Sequence, residues 1–79
     1  MSAAIIVQLR RVEGSLTRLL GTVQRRGFEF ESVDAQIRPE NNQWQVKLVF
    51  CPTARDVNLL CRQIQRLYEV TYVESVLEK

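Results

Sequence analysis

The amino-acid sequence predicts an α+β fold: a four-stranded antiparallel sheet with two helices on one face, in the ferredoxin-like order βαββαβ. Three observations carry this reading. Two segments repeat their apolar residues at the 3.6-residue period of an amphipathic helix, one around Leu16, Leu19, Leu20 and Val23 and one around Val57, Leu60, Cys61 and Ile64. Four other segments have the pattern of strands, and they fall before, between and after the helices. The two strands between the helices are joined by the short polar run Pro39-Glu40-Asn41-Asn42, so two right-handed βαβ crossovers interlock into one sheet. The expected spatial order is strands four, one, three, two.

Each element has a local reason. Ala4 to Arg10 is rich in β-branched residues and sets Ile5, Val7 and Leu9 on one face, which makes it strand one. The first helix is expected over Ser15 to Arg26, with Arg18, Gln24 and Arg25 turned away from the apolar stripe. Ser15 or Glu13 serves the exposed N–H groups at its start, and Gly27 supplies the left-handed residue that ends it. From Phe28 to Ile37 the alternation resumes, but its parity changes between Phe28 and Phe30 and the set Val33, Ala35 and Ile37. A register change at Glu31 and Ser32 predicts a β-bulge there. Gln43 to Cys51 places Trp44, Val46, Leu48 and Phe50 on one face and Gln43, Gln45 and Lys47 on the other, closing a hairpin with strand two. After Pro52, Thr53 with Asp56 three residues on resembles a capping box. The second helix then turns Val57, Leu60, Cys61, Ile64, Leu67 and Tyr68 inward and Arg55, Arg62 and Arg66 outward. Val70 to Leu77 is strand four. Residues 1–79 read as one domain without a linker, repeat or low-complexity segment.

Composition narrows the function. With 79 residues, 46% of them hydrophobic and 25% charged, the chain has one small core, and docking on a second copy or a larger partner is expected to supplement it. The formal net charge is only +2 and acidic residues are spread along the chain, so no basic arm points to nucleic acid. The apolar start from Ser2 to Val7 is far short of the ~20 residues of a membrane span and follows no basic leader, so a cytoplasmic protein is expected. Cys51 and Cys61 lie too far apart for a CxxC motif and are expected to pack as small hydrophobes. The chain has no histidine, which removes the commonest general base and metal ligand. Independent catalysis, a metal site and a bound cofactor are therefore not expected.

A ferredoxin-like sheet hosts many functions, so the site is argued from residues. RNA recognition would need stacking aromatics on the open faces of strands one and three, where strand one has none and Trp44 and Phe50 share the buried parity. A copper chaperone would need two thiols in the first loop, where Arg10-Arg11-Val12-Glu13-Gly14 stands instead. An acylphosphatase-like site would pair a loop Arg with an Asn on strand three, but Asn41 and Asn42 lie in the preceding turn. What remains is the first loop itself. Gly14 before a helix lets backbone N–H groups approach a ligand, and the helix start favours a carboxylate, so residues 11–15 are a candidate site for an amino acid. A tight turn with no ligand is the alternative. The edge formed by strand two, apolar at Val33, Ala35 and Ile37 and without a guarding Lys or Pro, predicts a homodimer through strand two and helix one.

Two stretches then resemble a known family. Residues 9–20, Leu9-Arg10-Arg11-Val12-Glu13-Gly14-Ser15-Leu16-Thr17-Arg18-Leu19-Leu20, and residues 24–33, Gln24-Arg25-Arg26-Gly27-Phe28-Glu29-Phe30-Glu31-Ser32-Val33, are similar to the ACT domain of the small regulatory subunit of acetolactate synthase. Gly14-Ser15-Leu16 matches the family's Gly-x-Leu at the start of helix one. The segment from Arg26 to Val33 matches its run into strand two, and Leu67-Tyr68-Glu69-Val70-Thr71-Tyr72-Val73 its end of helix two. The likeness spans nearly the whole chain and is closest to the short isozyme II type.

The resemblance implies a non-catalytic subunit that binds and activates the large, thiamine-diphosphate-dependent catalytic subunit in branched-chain amino-acid biosynthesis. It also implies an effector such as valine held between two ACT domains, with Gly14, Ser15 and Leu16 from one loop and Glu29 and Phe30 from the partner's strand two. Where feedback-sensitive members carry Asn at a loop position and on strand two, this chain carries Arg11 and Glu29. Arg11 can pair a carboxylate, or Arg11 and Glu29 of opposing chains can pair with each other across the site, and the second arrangement opposes valine control. Arg18, Arg25, Arg62 and Arg66 are candidates for docking the large subunit or simply a solvated face. The competing reading is a stand-alone ACT module that senses an amino acid without a synthase.

Overall fold

A computed structural model describes residues 2–78; Met1 and Lys79, the ends of the expected 1–79 domain, lie outside the described residues. The elements run β1 (Ser2–Arg10), α1 (Ser15–Arg25), β2 (Phe30–Arg38), β3 (Gln43–Phe50), α2 (Val57–Ile64) and β4 (Val70–Glu78). The strands form one antiparallel sheet in the order β2-β3-β1-β4, as the crossover argument requires. Alternation becomes packing directly. Val7 sits opposite Val46 on one side and Val73 on the other, and Ile5 sits opposite Leu48. These side chains, with Leu9 and Phe50, make the floor of a core closed by Leu19 and Val23 of α1 and Leu60 and Ile64 of α2. Phe28 and Phe30 stand against Phe50, with ring centroids 5.0 and 6.3 Å away.

The parity change in strand two is a bulge. Phe30 pairs with Phe50 and Ser32 with Val49, which leaves Glu31 without a counterpart and returns Val33, Ala35 and Ile37 to the helix-facing side. The strand begins two residues later than expected because Phe28 belongs to the end of α1. Gly27, at φ 88°, donates its N–H to the Gln24 carbonyl, and Phe28 donates to that of Val23. This pair of bonds is the Schellman arrangement, and the apolar contact it favours is made by Phe28 and Val23, both in the core.

Three local expectations need correction. Neither Ser15 nor Glu13 caps α1: its N-cap is Gly14, and no side chain among the described residues accepts from its first turn. Thr53 does not open α2 either, because its hydroxyl accepts the Arg55 N–H at 3.1 Å within a local turn, and Asp56 is the cap. The second helix stops at Ile64, beyond which Arg66 and Leu67 donate to carbonyls three residues back, tightening the chain out of α-geometry. Leu67 still packs on the core, but Tyr68 swings out to 72% exposure with the Arg10 guanidinium 5.4 Å from its ring centre. Cys51 and Cys61 are free and half-buried, and burial raises the Cys61 thiol above its ordinary range.

Candidate functional site

The loop between β1 and α1 is built by one backbone requirement. Gly14 holds φ 77°, a conformation that L side chains rarely adopt, and a Cβ there would stand 2.9 Å from a guanidinium nitrogen of Arg18. That conformation lets Ser15 donate its N–H to the Val12 carbonyl at 3.0 Å and lets α1 start at once, with Arg18 donating to the Gly14 carbonyl. Ser15 is thereby drawn inside. Only 2% of it is exposed, and its hydroxyl is buried without a hydrogen-bond partner among the described residues. A buried hydroxyl left unpaired costs about 1–3 kcal/mol, so the position is poorly explained by stability alone.

Around this turn lies an open cavity of about 300 Å³, lined by residues 11–17 and by Trp44. Arg11, Gly14, Ser15 and Leu16 all lie around this one cavity. Trp44 was missed, since it reads in sequence as a core residue of β3. It reaches the cavity because β3 pairs antiparallel with β1, which sets Trp44 opposite Leu9 two residues before the loop. The Leu16 and Thr17 amides at the start of α1 and the Arg11 cation favour a carboxylate or a similar small anion, and Val12, Leu16 and Trp44 supply apolar wall. Arg11 already donates to the Asn42 side-chain oxygen at 2.8 Å, so its charge is held over the β2–β3 turn.

The loop is braced from outside. Arg18 donates to the Glu13 carbonyl at 3.0 Å and to the Glu69 carboxylate at 2.9 Å, tying the site to the entrance of β4. The Arg18 hydrogen bond holds the Glu69 carboxyl below the usual carboxylate range. Of the surface arginines read as docking candidates, Arg18 is committed to this brace and Arg25 donates to the Thr22 hydroxyl.

Glu29 and Phe30 do not join this cavity within one chain. They lie at the far end of β2, where the Glu29 carbonyl accepts the Cys51 N–H at 2.9 Å and the Phe30 ring stacks on Phe50. Val33 and Ile37 on the β2 edge are each 43% exposed, and Ala35 between them is half-buried. Among the described residues no group of three or more Asp, Glu, Cys or His side chains is placed to hold a metal, and no helix is long and apolar enough to cross a membrane.

A family model for the ACT domain matches residues 11–73. No curated protein matches the chain. The ACT domain of the GTP pyrophosphokinase of Chlorobium tepidum, solved in solution, superimposes with a TM-score of 0.81 at 11% identity, over 100% of this chain and 89% of that one. The small subunit of acetolactate synthase from Thermotoga maritima gives 0.82 at 15% identity over 95% of this chain and 47% of that subunit. A homoserine dehydrogenase from Thiobacillus denitrificans gives 0.75 at 16% identity over 95% and 16%. At these identities the likenesses show the fold alone.

Proposed function

This chain belongs to the ACT domain family, whose members are ligand-binding regulatory modules, and from that premise we propose that it is the non-catalytic regulatory subunit of an acetolactate synthase. In this reading it binds and activates a large thiamine-diphosphate-dependent subunit of branched-chain amino-acid biosynthesis. The observation that carries the regulatory reading is the cavity at the start of α1, which opens on a helix with no side-chain cap and is lined by the Arg11 to Thr17 turn and Trp44. The choice of synthase rests on the resemblance of residues 9–20 and 24–33, supported by the likeness of fold to the Thermotoga maritima subunit.

The dimer completes the site in this proposal. The Arg38 end of β2 pairs with Gln43, beside Asn42 and Arg11, whereas Glu29 and Phe30 mark the opposite end. A twofold antiparallel pairing of β2 with the same strand of a second copy brings Glu29 and Phe30 of the partner copy to the end where the cavity opens. The same pairing covers the apolar strip of Val33, Ala35 and Ile37. The whole 1–79 chain acts as one ACT unit. Because Arg11 is engaged by Asn42, and Glu29 adds a carboxylate that repels another, millimolar valine is expected to leave the reconstituted enzyme largely uninhibited.

Co-purification and a titration test the reading together. The chain should hold a large flavin- and thiamine-diphosphate-containing subunit and raise its synthase rate, while showing no activity alone. A rate unchanged across the titration defeats the synthase assignment and leaves a stand-alone amino-acid sensor. Gel filtration should give a dimer; a monodisperse monomer removes the shared site.

A further inference from the structure

A second open cavity, of about 240 Å³, lies at the other end of α1, between the close of that helix and the opening of α2. Eleven helical residues separate it from the site above, a span of roughly 16 Å at the α-helical rise. Its lining is of two kinds. Phe28 and Leu60 form a buried apolar floor, and Leu59, 46% exposed, stands in its wall. Arg26 and Arg55 bring two guanidinium groups. The ion pairs among the described residues are Arg18 with Glu69 and Arg38 with Glu40, so neither cation has a carboxylate partner. Asp56 is close but already accepts from the Asn58 and Leu59 N–H groups, so those two amides at the start of α2 are not offered to an anion.

Arg55 is placed there by the backbone. Its guanidinium lies so near Gly27 that any Cβ at that position would meet it, and the φ of 88° already favours glycine. The side chain therefore lies over the turn that ends α1, whose C-cap residue is Arg26. Unpaired arginines with large apolar neighbours on a concave surface are the composition of a protein-docking hot spot rather than of a solvated face. The volume falls below the about 300–1,000 Å³ of small-molecule sites, and Phe28, 5% exposed, offers no ring for a base to stack on.

We propose that the groove between Arg26, Phe28, Arg55 and Leu59 docks a segment of a partner protein that carries one large apolar side chain flanked by carboxylates. The apolar side chain packs against the exposed Leu59, above the closed floor of Phe28 and Leu60, and the carboxylates take the two guanidinium groups in fork geometry. The groove lies apart from the β2 edge, so docking leaves the strand-two surface free, and the proposal does not depend on the identity of any synthase.

The test uses the full isotope-labelled chain and an acetylated, amidated peptide in which one leucine stands between glutamates, with a lysine-for-glutamate counterpart. Amide shifts on adding the glutamate peptide should concentrate at residues 26–28 and 55–63, weaken with added salt, and be absent with the lysine peptide. Arg26→Gln with Arg55→Gln should weaken binding about tenfold, as expected for two partly exposed charge pairs, with an unchanged melting temperature confirming the fold. Leu59→Ser should weaken it while leaving the salt dependence intact. Equal response to both peptides, shifts centred elsewhere, or no binding by the unmodified chain would overturn the proposal. It would be overturned too by an oligothymidylate shifting the same amides as strongly, which would reassign the groove to nucleic acid, or by a changed oligomeric state in the double variant, which would make it a self-interface.

Discussion

The two helices of this domain begin in opposite ways. Asp56 opens α2 in an extended conformation, and its carboxylate accepts from the Asn58 and Leu59 amides at 2.9 and 3.2 Å, a cap worth about 1 kcal/mol. Gly14 opens α1 in the left-handed region with no side-chain acceptor, and the next residue buries a hydroxyl without a hydrogen-bond partner among the described residues. The cap of α2 is local and complete. The start of α1 is left open and is instead fixed at a distance, through Arg18 reaching the Glu13 carbonyl and Glu69. If the α1 start receives a ligand, as proposed, its remaining donors have to stay free of a side-chain cap, and the Arg18 brace then supplies rigidity that such a cap would otherwise give.

The largest effect expected from this contrast is at Gly14. A β-branched residue there adopts the left-handed conformation at a cost of roughly 1–2 kcal/mol, and its Cβ also displaces the Arg18 guanidinium. Gly14→Val should lower the melting temperature by roughly 10 °C, on the scale of about 4–8 °C per kcal/mol for a domain of this size. A melting temperature unchanged within error would mean that the loop does not need its left-handed residue.

Asp56→Ala should cost about 1 kcal/mol, or roughly 4–8 °C. It should leave the α1 cavity untouched, so any amino-acid response measured by the fluorescence of Trp44, the sole tryptophan, should persist. Ser15→Ala should carry no such cost. Removing a buried, unpaired hydroxyl is neutral or stabilising by up to about 1 kcal/mol. A clear destabilisation by Ser15→Ala would show that the hydroxyl is satisfied in the folded protein, and the contrast between the two helix starts would fail.

How far these features were legible in the sequence follows the range of the interaction that makes them. The Trp44-Val46-Leu48-Phe50 alternation, the Gly27 stop and the parity change at Glu31 are read within a few residues, and each has its counterpart in β3, in the Schellman turn and in the bulge. The start of α2 was harder because Thr53 and Asp56 are both good caps, and only the path after Pro52 decides between them. Tyr68 continued the helical period on paper, but the chain had to leave the helix to enter β4. At the site, Arg11, Gly14, Ser15 and Leu16 are neighbours in sequence and could be grouped. Trp44 and Glu69 arrive through strand pairing and an ion pair across 51 residues, which no local pattern encodes.

The smallest effect expected is the one that tests the brace itself. Glu69 has a carboxyl held below its ordinary value of 4.5, chiefly by the hydrogen bond from Arg18, with burial opposing. A carboxylate whose folded value is depressed contributes stability that is fully present above the unfolded value and is lost as pH falls through the folded one. The difference in stability between the parent chain and Glu69→Gln should therefore be greatest near neutrality and vanish in acid. It should also shrink with salt, because half of the Arg18 side chain is exposed to solvent. Glu40 is lowered as well, by its own backbone hydrogen bond first and Arg38 second, but it sits on the β2–β3 turn. Glu40→Gln is thus the control that removes an acid-sensitive carboxylate without touching the brace. Amide protection at residues 13–16, taken as the exchange rate relative to the intrinsic rate at the same pH, separates the two: it should fall in acid for the parent and for Glu40→Gln, and be low at every pH for Glu69→Gln. If the loop amides of Glu69→Gln remain as protected as those of the parent at neutral pH, Arg18 does not hold the open helix start.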